Sequence, residues 1–413
     1  MARREAGRPR LWVAGLSLVL ALVVGVTLWL TLRPTSTYHA PLTGSAQPRQ
    51  SPAAASALLH GLQQAVRAHD PQAAAGLAGS GSSAATLRGI VRNGRALHVT
   101  GFTLRYVAPA GGVTAGGAWT AYVHASWRFA GFDRRPESME VRVHLARLHG
   151  RLGITRIGGG DRRSPLWLSG PVRVRRTPSD LVLVDGAARE TDRIAGQSAT
   201  AVRQVREVLP GWRGGLVVEV PATSGGLTHA LRAGSGTYAD IAAVTTTVDG
   251  GTSSTAPVHV FVNPQVYLPL TPTGAQVVLT HEATHVATGG ATSPAPIWLV
   301  EGFADYVALH AQRLPLRRTA ARISALVDHD GAPTHLPGQA EFATGASHLE
   351  ARYESAWLAC RLLADRGGQA TLVAFYRDVD GGRPVGAALR ARFGFGLAAL
   401  TRSWRNVLTH LPA

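Results

Sequence analysis

The chain has 413 residues and a formal net charge of +17, and all of its 42 basic side chains are arginine. An apolar content of 45% excludes an intrinsically disordered protein, and the length allows two or three folded domains. The single cysteine, Cys360, excludes an internal disulfide and lies in an apolar stretch that favours burial. The arginines are spread along the chain without a nucleic-acid recognition motif, so nucleic acid is not an expected partner. Compositional bias and attraction to anionic lipid or cell-wall polymer both remain open as explanations of the charge.

The first predicted element is an apolar run over residues 11–32. At 1.5 Å per residue a helix of this length reaches about 33 Å, enough to cross a hydrocarbon core of about 30 Å. Four arginines precede it, which predicts a cytoplasmic tail over 1–10, a transmembrane helix, and a single-pass cell-membrane protein whose remainder is extracytoplasmic. A cleaved signal peptide is the alternative, although its apolar region would span only about 7–15 residues.

Residues 33–52 are rich in Pro, Ser, Thr and Gln, which predicts a linker. Residues 53–175 form the next predicted domain, with one helix followed by a meander of strands. The helix covers 54–69 and the strands cover 98–107, 119–129, 139–149, 151–157 and 166–175. This order predicts a small α+β cone, similar in architecture to nuclear-transport-factor-2-like domains, with an accessory role as a spacer or in presenting substrate.

Residues 176–413 form the last predicted domain, in which strands precede helices. Strands are expected over 181–184, 216–220, 241–247 and 258–263, with a long helix over 188–208 and a helical pattern after Thr271. A mixed sheet followed by helices is an α+β arrangement. The predicted fold class of the whole chain is therefore α+β, with an N-terminal transmembrane helix, a cone-like domain and this last domain.

An H-E-x-x-H motif occurs at His281, Glu282 and His285. Thr273 and Gln276 have the spacing of a capping box, which predicts that a helix starts there. On a helix the two histidines lie about 40° apart and one turn apart, so both imidazoles face one point. Glu282 borders the same face, where its carboxylate can take a proton from a water that zinc activates. The motif therefore predicts a zinc site with Glu282 as general base.

A catalytic zinc with two histidines needs a third protein ligand. Glu301 is the candidate, because it stands in an otherwise apolar helical run that Pro296 opens, where a carboxylate needs a positive partner. Asp305 lies one turn further on the same face and can orient a ligand imidazole. The alternative is a structural helix with two hydrogen-bonded histidines and an ion-paired Glu301.

The H-E-x-x-H motif and the helical run after Pro296 together resemble the gluzincin metallopeptidases, the clan of thermolysin and aminopeptidase N. Within this clan the resemblance is to the peptidase-MA-like proteins. The residues that carry the resemblance are the H-E-x-x-H motif and Trp298, Glu301, Gly302, Asp305 and Tyr306 of the second helix. The resemblance implies a fold with His281, His285 and Glu301 as zinc ligands, Glu282 as general base and Asp305 beside the ligands. Only 15 residues separate His285 from Glu301, fewer than in thermolysin or aminopeptidase N.

The resemblance also implies a tyrosine that returns to the cleft at the start of a later helix. Tyr353 is the candidate and His348 the second choice. The alternative for Tyr353 is a half-buried core aromatic. The strand at 257–263 is expected to be a sheet edge to which a peptide adds by backbone hydrogen bonds. His259 and His310 are expected to be surface or packing residues.

The expected activity is that of a membrane-anchored zinc peptidase, which hydrolyses peptide bonds outside the cytoplasm and has peptides or proteins as substrates. Two alternatives remain open at this point. One is a catalytically inert binding or assembly protein of the cell envelope. The other is a hydrolase of peptide crosslinks in the cell wall.

Overall fold

Two β-sheets organise the chain, and the computed structural model describes residues 50–253, 255–312, 314–343 and 345–411. The first sheet is antiparallel, with strands in sequence order. Its strands are β1 (Val99–Pro109), β2 (Trp119–Phe129), β3 (Glu137–Leu148) and β4 (Arg151–Ile157). The helices before it are α1 (Pro52–Arg67), α2 (Pro71–Ala75) and α3 (Gly81–Ala96). The predicted order of helix and then strands is confirmed, and α2 and α3 were not predicted.

The second sheet is mixed. Its strands are β5 (Arg173–Arg176), β6 (Asp180–Val184), β7 (Leu216–Val220), β8 (Ala243–Thr247) and β9 (Val258–Val262), in the order β5-β6-β7-β9-β8. The pairs β6–β7 and β7–β9 are parallel, whereas β5 and β8 are antiparallel to their neighbours. Helices interrupt the strands at α4 (Leu166–Ser169), α5 (Ala188–Val208) and α6 (Ser224–Leu231).

Helices dominate the chain after this sheet, as the sequence predicts. They are α7 (Pro264–Tyr267), α8 (Pro272–Thr288), α9 (Ile297–His310), α10 (Leu316–Thr319), α11 (Ala321–Asp330), α12 (Leu349–Gly367), α13 (Gln369–Asp380), α14 (Val385–Phe393) and α15 (Leu397–Thr409). Short 3-10 turns lie at Gly290–Thr292 and Gln339–Phe342.

The central strands of the mixed sheet, β6, β7 and β9, are covered on both faces and are almost entirely buried. Even-numbered residues such as Val218 and Val260 pack against the helices. Odd-numbered residues such as Val217 and Phe261 join the core of the first sheet. Successive side chains of a strand point to opposite faces, so this sheet separates the helical layer from the four-stranded layer.

Two predicted features of the strands are wrong. The strand expected over 166–175 is instead the short helix α4, whose Trp167 is buried against the first sheet, followed by β5 of the second sheet. The strand at 258–262 is not a sheet edge, since β9 lies between β7 and β8. The strand at the edge is β8, which pairs with β9 alone in the described sheet.

The membrane part of the predicted fold class is corrected. In the part of the chain that the structure describes, no helix is long and apolar enough to cross a membrane. The longest of these helices, α5, has 21 residues but carries Arg189, Glu190 and Asp192 in its first turns. The apolar run 11–32 lies outside the described residues. The observed fold class is α+β, and the prediction of a single-pass membrane location is withdrawn with the transmembrane helix.

Gly302, next to Glu301, sets how closely α9 approaches α12. A Cβ at this position would lie 2.3 Å from the backbone oxygen of Ala356 and 3.1 Å from the Cys360 sulfur. We expect Gly302→Ala to force these helices apart and to lower the free energy of unfolding by about 1–3 kcal/mol, as overpacking of a core does. Denaturant unfolding measures this change.

The matched control is Gly196→Ala on α5, where an added Cβ has open space. There the same substitution should leave stability unchanged or raise it by up to about 1 kcal/mol, since alanine is the better helix former. Equal stability of the two variants would contradict the close packing of α9 on α12.

Candidate metal centre

Helix α8 carries the H-E-x-x-H motif and starts earlier than the sequence predicts. Thr271 is the N-cap, and its hydroxyl accepts the backbone N–H of Gly274 at 3.2 Å. Pro272 takes the first helical position, where its fixed φ suits a helix and its missing N–H costs nothing, so the predicted cap at Thr273 is wrong. Gly289 ends the helix, in the left-handed region at φ 73°.

Three predicted ligand atoms meet at one point between α8 and α9. The Nε2 atoms of His281 and His285 are 2.9 Å apart. The Oε2 atom of Glu301 lies 3.2 Å from His281 Nε2 and 3.4 Å from His285 Nε2. Ligand atoms around a tetrahedral zinc with bonds of about 2.0–2.1 Å lie about 3.3 Å apart. The three side chains therefore fit a single zinc ion.

Asp305 contacts the other side of the His281 ring. Its Oδ1 lies 2.7 Å from His281 Nδ1, one helical turn beyond Glu301 on α9. A carboxylate at this distance fixes the proton on Nδ1 and leaves the Nε2 lone pair free for a metal. The predicted role of Asp305 beside the ligands stays a prediction, and its position meets the geometric requirement for it.

The electrostatics of this site favour a cation. Burial alone would raise the pKa of Glu301, but the adjacent His285 and His281 hold this pKa well below its usual range. Burial alone would lower the pKa of His281, but Asp305 and Glu301 raise it well above its usual range. The carboxylates around His281 thus stabilise positive charge on its ring, and the two histidines stabilise the negative charge of Glu301.

Glu282 does not belong to the group of converging ligand atoms. It is 8% exposed, and its Oε2 accepts a hydrogen bond of 2.6 Å from the Thr245 hydroxyl. Thr245 lies on the edge strand β8, and its hydroxyl is also 3.0 Å from the backbone oxygen of Glu282. The edge strand is thereby attached to the motif helix. Sequence reasoning missed Thr245, since only the pairing of β8 with β9 brings it to α8.

Tyr353 reaches the site from α12. Its ring lies 6.0 Å from the His281 ring, centre to centre, and Phe342 packs edge-on against it at 5.0 Å. Burial raises the pKa of Tyr353, and Glu301, Asp305 and Glu282 raise it further, so the phenol keeps its proton at neutral pH. His348, the second choice, is the exposed N-cap residue of α12.

The other residues singled out in the sequence are Cys360, His310 and His259, and they lie in different surroundings. Cys360 is a free, fully buried thiol whose pKa is raised by burial, which agrees with the predicted packing role. His310 is exposed at the end of α9. His259 was expected to be a surface or packing residue; it is 1% exposed, so it is not a surface residue, and carboxylates surround it.

Helices α8 and α9 thus carry two histidines and a glutamate in the arrangement of an H-E-x-x-H metal site. No protein-family model and no curated protein matches the chain. Among solved structures, it is similar to the crystal structure of a two-domain M1 zinc metallopeptidase, a mutant bound to L-arginine, at 15% identity and a TM-score of 0.36. The similarity covers 76% of this chain and 65% of the other, less than two thirds of that protein's length. A likeness at this TM-score does not define function, so the assignments below depend on the geometry of the site.

Proposed function

We propose that this protein is a zinc-dependent peptidase with His281, His285 and Glu301 as the zinc ligands. The observation that carries the proposal is the convergence of their three ligand atoms within 3.4 Å of one another, with His281 oriented by Asp305. The three ligand side chains are largely shielded from solvent, with exposures of 10–13%.

The chemistry divides between the metal and the side chains around it. A zinc ion held by His281, His285 and Glu301 would supply Lewis acidity for the scissile carbonyl and would lower the pKa of water to about 7. Glu282 takes up a proton from the attacking water and passes it to the leaving amine. Thr245 holds one carboxylate oxygen of Glu282, which leaves the other free for this proton transfer. Tyr353 donates its hydroxyl proton as a hydrogen bond to the oxyanion that forms.

The edge strand β8 is the surface on which an extended peptide is expected to bind. Its second edge has no strand partner in the described sheet, and Thr245 ties it to Glu282. Backbone hydrogen bonds to such an edge align a peptide without selecting its sequence. This geometry supports a substrate bound in extended form, with side-chain selectivity set by the neighbouring loops.

Hydrolysis of peptides by the zinc-loaded full-length protein tests the proposal. An unstructured protein such as casein and a library of short peptides serve as substrates, with purified crosslinked wall fragments beside them. We expect cleavage of the peptides, its loss on chelation and its return with zinc. Cleavage confined to wall fragments would instead identify a crosslink hydrolase. No turnover with zinc bound would overturn the proposal and identify an inert binding protein.

A further inference from the structure

A second cluster of ionisable side chains lies on the face of the mixed sheet that is turned away from α8. It contains Asp133 in the β2–β3 connection, Glu137 at the start of β3, Glu219 on β7 and His259 on β9. Their side chains are only 0–6% exposed. Three carboxylates buried together are costly unless positive charge accompanies them.

His259 is oriented like a metal-binding histidine. Its Nδ1 lies 2.7 Å from Glu219 Oε1, so that the proton is held on Nδ1. Its Nε2 faces Asp133 Oδ1 at 3.1 Å and Glu137 Oε1 at 3.7 Å. A carboxylate on one ring nitrogen, with the other directed at further ligand atoms, is the usual arrangement around a bound metal.

Glu137 gives the strongest indication that this cluster binds a cation. Its side chain is 0% exposed, and neither carboxylate oxygen has a hydrogen-bond partner among the described residues. A buried carboxyl group without a hydrogen-bond donor requires either its own proton or a cation.

Asp133 also directs a carboxylate oxygen at this point. Its Oδ2 accepts the backbone N–H of Phe129 at 2.7 Å, which leaves Oδ1 directed at the cluster. The ligand atoms of Asp133, Glu137 and His259 all lie within 4.8 Å of one another. The separations of 3.1 and 3.7 Å from His259 Nε2 bracket the value of about 3.3 Å for ligands of one tetrahedral zinc.

We propose that Asp133, Glu137 and His259 bind a second divalent transition-metal ion, with Glu219 orienting His259. The imidazole ligand favours a zinc-like ion over magnesium or calcium, which take oxygen ligands. One such ion reduces the charge of three ionised carboxylates from −3 to −1. Asp133 also lines a groove of about 970 Å³, which gives an ion a route to the cluster.

This metal would connect the first sheet to the strands behind the candidate active site. Asp133 and Glu137 belong to the β2–β3 region, whereas His259 lies on the strand that pairs with β8. His259 is opposite Thr246, the neighbour of Thr245. The second ion would therefore link the first sheet to the mixed sheet, and its binding should stabilise the fold.

Zinc content in a His281→Ala background tests the second site, because that substitution removes a ligand of the first site and leaves the cluster intact. The full-length protein is stripped with a chelator, resupplied with zinc, desalted and analysed for metal. We expect about one zinc per chain in His281→Ala and none in the double variant with Glu137→Gln. Zinc should raise the Tm of His281→Ala by about 3–5 °C at a free concentration 100 times Kd.

The matched control is Glu140→Gln in the same background, the same chemical change three residues along β3, where Glu140 pairs with the half-buried Arg162 instead. It should keep the zinc and the rise in Tm. Glu137→Gln replaces the carboxylate by an amide of nearly the same size, and its unfolding transition without zinc shows whether it folds. Folded His281→Ala protein that binds no zinc, or Glu137→Gln protein that keeps it, would overturn the second site. Neither result depends on peptidase activity, so the proposed function is tested separately.

Discussion

Glu282→Gln should reduce peptide hydrolysis by about 10²–10⁴-fold in kcat while leaving zinc bound. The amide cannot take up a proton, and general-base catalysis contributes a factor of this size. Glu282 is not among the converging ligand atoms, and a glutamine can still accept the hydrogen bond from Thr245. Steady-state kinetics and zinc content of the same preparation measure both parts of this expectation.

The matched control for Glu282 is Glu207→Gln, at an exposed position near the end of α5. It makes the same chemical change and should alter neither kcat nor zinc content. If Glu282→Gln kept the activity of the unmodified protein, the proton transfer assigned to Glu282 would be wrong. If it lost its zinc, Glu282 would be a ligand instead.

Tyr353→Phe should lower kcat by about 10²–10³-fold, with zinc content and KM little changed. Removing one donor to a developing oxyanion costs a factor of this size. Phenylalanine keeps the ring contacts with His281 and Phe342, so that only the hydroxyl is tested. Kinetics with separate determination of kcat and KM measure the effect.

A purely structural role of Tyr353 makes the opposite prediction. In that case Tyr353→Phe would change the Tm and leave kcat as it was. Tyr122→Phe on β2 is the control, since the Tyr122 hydroxyl bonds only to Asp161 in the described residues. It removes a phenol in the same way and should leave hydrolysis unchanged.

The candidate site was predictable from sequence because its geometry is local. Spacings within a helix bring His281 and His285 to one face of α8, and Glu301 and Asp305 to one face of α9. Only the contact between α8 and α9 could not be predicted without the fold. Gly302, beside Glu301, lets α9 lie close against a third helix, α12.

The features that sequence reasoning missed depend on contacts between distant segments. His259 and Asp133 are 126 residues apart and meet only because the first sheet packs on the second. The position of β9 inside the sheet follows from strand order, which hydrophobic pattern does not specify. The residues expected as a strand over 166–175 have the apolar composition of one, but Trp167 is buried as part of a helical turn.

The central claim is that His281, His285 and Glu301 bind a zinc ion. The most direct measurement is the zinc content of the full-length protein and of His281→Ala, both stripped and resupplied with zinc under the same conditions. The geometry predicts that the variant binds one zinc per chain fewer than the unmodified protein, whatever the occupancy of the second cluster. Equal zinc content in two folded proteins would contradict the metal centre and the peptidase function proposed from it.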